Sequence, residues 1–152
     1  MLFHRSLPIP LACLALAGAA VLATACGDDD GGDEEDASFR ITNKTPNDTV
    51  KVDMIEFSMN PDKPSVAAGP TRFVATNSST SMVHELAVLR LKDDGTFENT
   101  GEVEDVDPGR SGEIVLDLPA GKYVLACVLV PGEAGSKFDH FKEGMKTDFE
   151  VK

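Results

Sequence analysis

The chain has no tryptophan and only one tyrosine, and its other eight aromatics are all phenylalanine, in 152 residues. A core must therefore be built mainly from Val, Leu, Ile and Phe. Basic residues are scarce: 14 Lys and Arg stand against 26 Asp and Glu, a formal net charge of −12. So acidic a surface argues against nucleic-acid binding and against adsorption to anionic lipid, both of which need clustered positive charge. It suits a partner protein with a basic surface, or simple solubility. Histidine and cysteine occur three times each. Cys13 lies in an apolar N-terminal stretch and Cys26 closes it, leaving Cys127 alone in the rest of the chain. That part cannot form an internal disulfide, and its thiol is a ligand, a reactive group or a small buried residue. No nucleophile-elbow sequence accompanies a histidine, so Ser-His-Asp hydrolysis has no motif here and an enzyme is not expected.

What is present begins with residues 1–25, which read as an export signal: His4 and Arg5, then an apolar stretch from Leu7 to Ala25. Its end, Leu22-Ala23-Thr24-Ala25-Cys26-Gly27, resembles a bacterial lipoprotein lipobox. The resemblance implies cleavage before Cys26, a lipid on its thiol and attachment to the membrane on the periplasmic or extracellular face. Ala23 stands where that family usually has Leu, and Ala23-Thr24-Ala25 also suits ordinary signal peptidase. Residues 26–45 read as a disordered acidic tether, because GDDDGGDEED places seven acids in ten residues with nothing to bury. Its spacing lacks the calcium-loop pattern.

Residues 46–152 form the expected domain. Val50, Val52 and Met54 alternate with Lys51 and Asp53, as in a strand with one buried face. Thr71 to Asn77 repeats the pattern, and NSSTS follows as a loop. In Val83 to Leu91, His84, Leu86 and Val88 share one face while Glu85, Ala87 and Leu89 share the other. Thr96 to Val106 is acidic and weakly periodic, an excursion with a poor edge strand. Gly112 to Leu118 alternates again. Lys122 to Val128 is nearly all apolar and suits a central strand, and Met145 to Val151 closes the sheet. Short strand-like runs with Gly/Pro turns and no helical period indicate a β-sandwich.

The C-terminal stretch also carries a chemical grouping. Cys127 ends an apolar run, His140 follows after the twelve residues VLVPGEAGSKFD, and Met145 lies just beyond. Thiolate, imidazole and thioether are ligands that copper selects, and His84 is the other histidine outside the leader. Zinc also takes Cys and His, but the thioether favours copper.

From about Val50 to Lys152 the sequence resembles the cupredoxins, the blue copper fold. Three signatures carry the resemblance: the strand Val50 to Phe57 followed by Ser58-Met59-Asn60-Pro61; Phe73-Val74-Ala75-Thr76-Asn77, a polar loop and His84-Glu85-Leu86; and Gly121-Lys122-Tyr123-Val124 leading to Cys127, His140 and Met145. The resemblance implies an all-β, Greek-key sandwich of about seven to eight strands. It further implies one type 1 copper ion held by His84, Cys127, His140 and an axial Met145. The protein is then a monomeric single-electron carrier with a redox partner protein, and Phe138, Phe141 and Val83 are expected to form a dry rim. Copper storage or delivery is the alternative, and a metal-free interaction module a third. The departure from the family is the long interval between Cys127 and His140. Its extra closure entropy is only about 1.2 kcal/mol, but a loose loop is expected to hold His140 less firmly. Electron exchange is expected through an exposed edge of His140.

Overall fold

A computed structural model describes residues 40–152 of the chain. The expected leader, Cys26 and most of the tether lie outside them. The described strands are β1 (Arg40–Ile41), β2 (Asp48–Ile55), β3 (Ser58–Pro61), β4 (Ser65–Val66), β5 (Gly69–Asn77), β6 (His84–Leu91), β7 (Phe97–Val106), β8 (Ser111–Leu118), β9 (Gly121–Ala126) and β10 (Lys146–Val151). Among the described residues, one short 3-10 turn, Glu133–Gly135, is the only helical element.

The strands form two five-stranded sheets, β1-β8-β5-β2-β3 and β4-β10-β9-β6-β7. β2 runs parallel to β5, and β4 to β10; the other pairs are antiparallel. The result is the expected all-β Greek-key sandwich. Eight strands have four residues or more, and β1 and β4 are two-residue additions at sheet edges. Pairing begins ahead of the boundary expected between residues 45 and 46: Arg40 and Ile41 lie opposite Asp117 and Leu116, and Lys44 pairs with Asp117.

Alternation decides which side of each sheet is buried. Val50, Val52 and Met54 from β2, Phe73 and Ala75 from β5, Leu116 and Leu118 from β8, and Leu86, Val88, Leu125, Phe149 and Val151 from the other sheet make one core cluster. Phe73 and Phe149 meet edge to face across it, centroids 5.8 Å apart. β6 and β9 are the exception to single-sided burial. Ala87, Leu89, Val124 and Ala126 form a smaller cluster on their other face, with Val128 and Phe141 packed against it.

β7 is an edge strand ten residues long, more than the weak excursion its sequence suggests. Two register shifts against β6 absorb its irregular polarity. One falls near Asp105, whose φ is +48°. The other falls opposite Thr100, whose hydroxyl donates to the Val88 carbonyl at 2.7 Å.

Candidate metal centre

Cys127 directly follows β9, and Met145 directly precedes β10. The antiparallel register that sets Ala126 opposite Lys146 places these two residues side by side. The Cys127 N–H donates to the Met145 carbonyl at 3.0 Å, and the Met145 N–H donates to the His140 carbonyl at 2.9 Å. Cys127 and Met145 are both fully buried in the main core. β6 lies on the other side of β9, and the Glu85 N–H points at the Cys127 sulfur from 3.5 Å. The Glu85 carboxylate accepts the Val128 N–H at 2.9 Å, tying the start of β6 to the residue after the cysteine. Burial pushes the Cys127 thiol up to about 11, against the opposing effect of the N–H groups of Glu85 and Leu129.

His84 opens β6 and faces inward with Leu86 and Val88, as alternation requires. The loop before it is anchored by Asn77, which is fully buried. The Asn77 amide donates to the carbonyls of Met82 at 2.8 Å and Val106 at 2.7 Å, and its oxygen accepts the Ser79 N–H at 3.0 Å. His84 Nδ1 lies 3.2 Å from His140 Nδ1, which in turn lies 3.2 Å from Cys127 Sγ. One donor atom from each of His84, Cys127 and His140 falls within 4.8 Å of the other two.

Burial lowers both imidazoles, His84 to about 4 with His140 beside it adding to the shift. Both are therefore neutral at pH 7, with lone pairs available. A neutral ring carries one proton, so the two Nδ1 atoms in contact either share one hydrogen or oppose two lone pairs, an opposition that a cation between them would relieve. His84 Nε2 is buried with no hydrogen-bond partner, leaving a place for the proton that metal binding at Nδ1 displaces. A trigonal ion with bonds of about 2.0–2.3 Å wants its donors about 3.5–4 Å apart. The two 3.2 Å distances to His140 Nδ1 need only slight expansion. By donor type, neutrality and spacing, the cluster fits a single type 1 copper ion.

The long connection from Val128 to Asp139 does not leave His140 loose. The His140 N–H donates to the Leu129 carbonyl at 3.0 Å, closing the connection at its base. Further out, Glu133 N–H bonds Val130 O at 3.1 Å, Ser136 N–H bonds Glu133 O at 2.7 Å, and Gly132 N–H bonds Ser136 O at 2.9 Å. After the histidine, a turn through Gly144, at φ +105°, returns the chain to Met145.

The two-sheet fold is similar to that of solved structures. Reduced auracyanin from the photosynthetic bacterium Roseiflexus castenholzii superposes with a TM-score of 0.54, at 20% identity, over 71% of this chain and 99% of that one. Auracyanin B superposes with a TM-score of 0.57, at 18% identity, over 76% of this chain and 99% of its own. The domain has a cupredoxin-like fold. No protein-family model matches the chain, and no curated protein matches it in sequence.

Two expectations about this cupredoxin-like domain are corrected. His140 does not present an exposed edge: it is 1% exposed. The Ser136 hydroxyl lies 2.9 Å from its Nε2, and the Phe57 ring packs edge-on against it, centroids 5.5 Å apart. The expected rim is also rearranged. Val83 and Phe138 line a cavity of about 390 Å³ beside His140, but Phe141 does not. Phe141 instead covers the outer face of β9, against Phe97 and under the Lys146 ammonium. Phe57 takes its place, meeting Phe138 edge to face at 5.5 Å. Sequence signal for Phe57 was thin, because a φ of +55° at a phenylalanine has no local signature. Asn77 reads as the end of a strand and Ser136 as an ordinary loop residue; their partners lie beyond a turn or, for Val106, far along the chain.

Proposed function

We propose that His84, Cys127, His140 and Met145 would hold one type 1 copper ion, and that the protein is an electron carrier. The observation that carries the reading is the convergence of two neutral imidazole nitrogens and one sulfur within 4.8 Å in a buried site. The ion supplies a one-electron couple. The protein's residues keep the donors fixed: the Met145, His140 and Leu129 backbone bonds brace three of the four residues against each other, and β6 fixes His84. Such bracing limits rearrangement between oxidation states. Glu85 N–H against the sulfur offsets part of its negative charge.

The physiological setting is part of the same proposal. The chain is exported and held at the membrane through a lipid on Cys26, and a partner protein with a basic surface meets the acidic domain. Mass measurement of the mature N-terminus tests the anchor: an unmodified chain beginning at Cys26 contradicts it.

Adding Cu(II) to the purified mature protein should give an intense visible thiolate-to-copper band. Cys127→Ser should abolish that band, and Met145→Leu should shift it without removing it. A colourless protein whose Cys127 remains freely titratable by a thiol reagent contradicts the reading.

The burial of His140 favours a second reading, copper storage or delivery. The two separate by electron self-exchange: a blue protein that holds copper yet exchanges no electrons with small redox mediators is a store.

A further inference from the structure

The connection from Val128 to Asp139 brings the Ser136 hydroxyl against the nitrogen of His140 that faces away from the metal cluster. Ser136 Oγ lies 2.9 Å from His140 Nε2 and 2.9 Å from the Phe138 carbonyl, and it accepts the Phe138 N–H at 3.1 Å. A serine hydroxyl has one proton to give and two lone pairs to offer. If the proton goes to the Phe138 carbonyl, the lone pairs take the Phe138 N–H and a proton on His140 Nε2. Every group in the network is then used once. If the hydroxyl turns to Nε2 instead, the Phe138 carbonyl loses that donor. The single proton of His140 must then sit on Nδ1, pointing at His84 and Cys127, where it occupies the position a metal needs.

We propose that Ser136 is a positioning residue that holds His140 in the tautomer protonated at Nε2, with the Nδ1 lone pair turned toward Cys127 and His84. The partner of one ring nitrogen decides the state of the other, and metal-ligating imidazoles depend on such a partner. Ser136 is itself fixed, through its N–H to Glu133 O at 2.7 Å and its carbonyl from Gly132 N–H at 2.9 Å. The Phe57 ring, packed at a steep angle to the imidazole, restricts the swing that Ser136 does not. On this account the connection is long because it must double back and place a hydroxyl over the histidine. The inference rests on the copper reading for its purpose and on this hydrogen-bond geometry for the tautomer itself.

The test uses the full mature protein and the variants Ser136→Ala and Ser136→Thr. Imidazole nitrogen NMR shifts in the metal-free protein at neutral pH report the tautomer directly. The wild type should show His140 protonated at Nε2, Ser136→Ala should show a mixture, and Ser136→Thr should restore the single form. Cu(I) affinity should fall about 10–100-fold in Ser136→Ala and recover in Ser136→Thr. A wild-type His140 protonated at Nδ1, or an unchanged tautomer in Ser136→Ala whatever its affinity, overturns the inference. If Ser136→Ala shifts the tautomer but no form binds copper, the copper reading fails and the positioning role stands. If the wild type is blue and Ser136→Ala matches it in tautomer, the positioning role fails and the copper reading stands.

Discussion

His140 donates its backbone N–H to the Leu129 carbonyl at 3.0 Å. That bond converts a long loop into a short one. The path from Cys127 to His140 crosses at Leu129, and everything from Val130 to Asp139 is an excursion beyond the crossing. The entropy of the excursion is then separate from the placement of the ligand, and the site tolerates an interval that by length alone would loosen it.

Copper affinity should depend on pH through Cys127. Burial holds its thiol near 11, so binding as thiolate must release a proton throughout the neutral range. Cu(I) affinity should rise about tenfold per pH unit between about pH 7 and 9. Competition against a chelator of known pH dependence measures the slope, and a flat profile would mean that the sulfur is not a ligand.

The metal-free protein should lose stability in mild acid. His84 is held to about 4 by burial, with His140 adding, whereas an unfolded histidine has its ordinary value of 6.5. Below pH 6.5 the unfolded chain takes up a proton that the folded chain refuses. Stability therefore falls as pH drops from about 6.5 to about 4, then levels off, with a loss of about 3 kcal/mol at most from this group. The lowered His140 acts in the same direction. Glu85, raised by its burial, acts oppositely in the carboxylate range. Urea midpoints across pH should fall less steeply in His84→Gln than in the wild type.

Asn77→Ala should be costly for a single polar residue. It removes two donated hydrogen bonds and one accepted bond in a buried setting; the Met82 carbonyl keeps the Ser79 hydroxyl, but the Val106 carbonyl and the Ser79 N–H each lose a partner. A loss of about 2–4 kcal/mol is expected in urea unfolding. Asn77→Asp should not rescue it, because a carboxylate cannot donate to either carbonyl.

Gly101→Ala should destabilise the protein by about 1–3 kcal/mol. A Cβ there meets Leu116 Cδ2 at 2.6 Å and Ile114 Cδ1 at 3.1 Å, and Leu116 is fully buried in the core. The backbone φ of +156° adds to the strain. Thermal melting measures the effect, and a wild-type midpoint would show that the two side chains move aside freely.

Alternation along Asp48–Ile55, Gly69–Asn77 and Ser111–Leu118 was enough to identify a β-sandwich and its buried faces, because a period of two is written directly in the residues. The donor types of Cys127, His140, Met145 and His84 were equally legible, since ligand chemistry belongs to the side chain and not to its surroundings. Three things depended on partners distant in sequence or on backbone angles, and only the tertiary structure decided them. The bond between His140 and Leu129 closes the long connection. The covering of His140 by Ser136 and Phe57 hides an imidazole that sequence pattern would leave at the surface. The pairing of β7 with β6 along its length runs through two register shifts, which no count of its acidic residues could reveal. Residue chemistry named the candidate donors, and the folding of loops over one end of the sandwich fixed how His84, Cys127 and His140 meet.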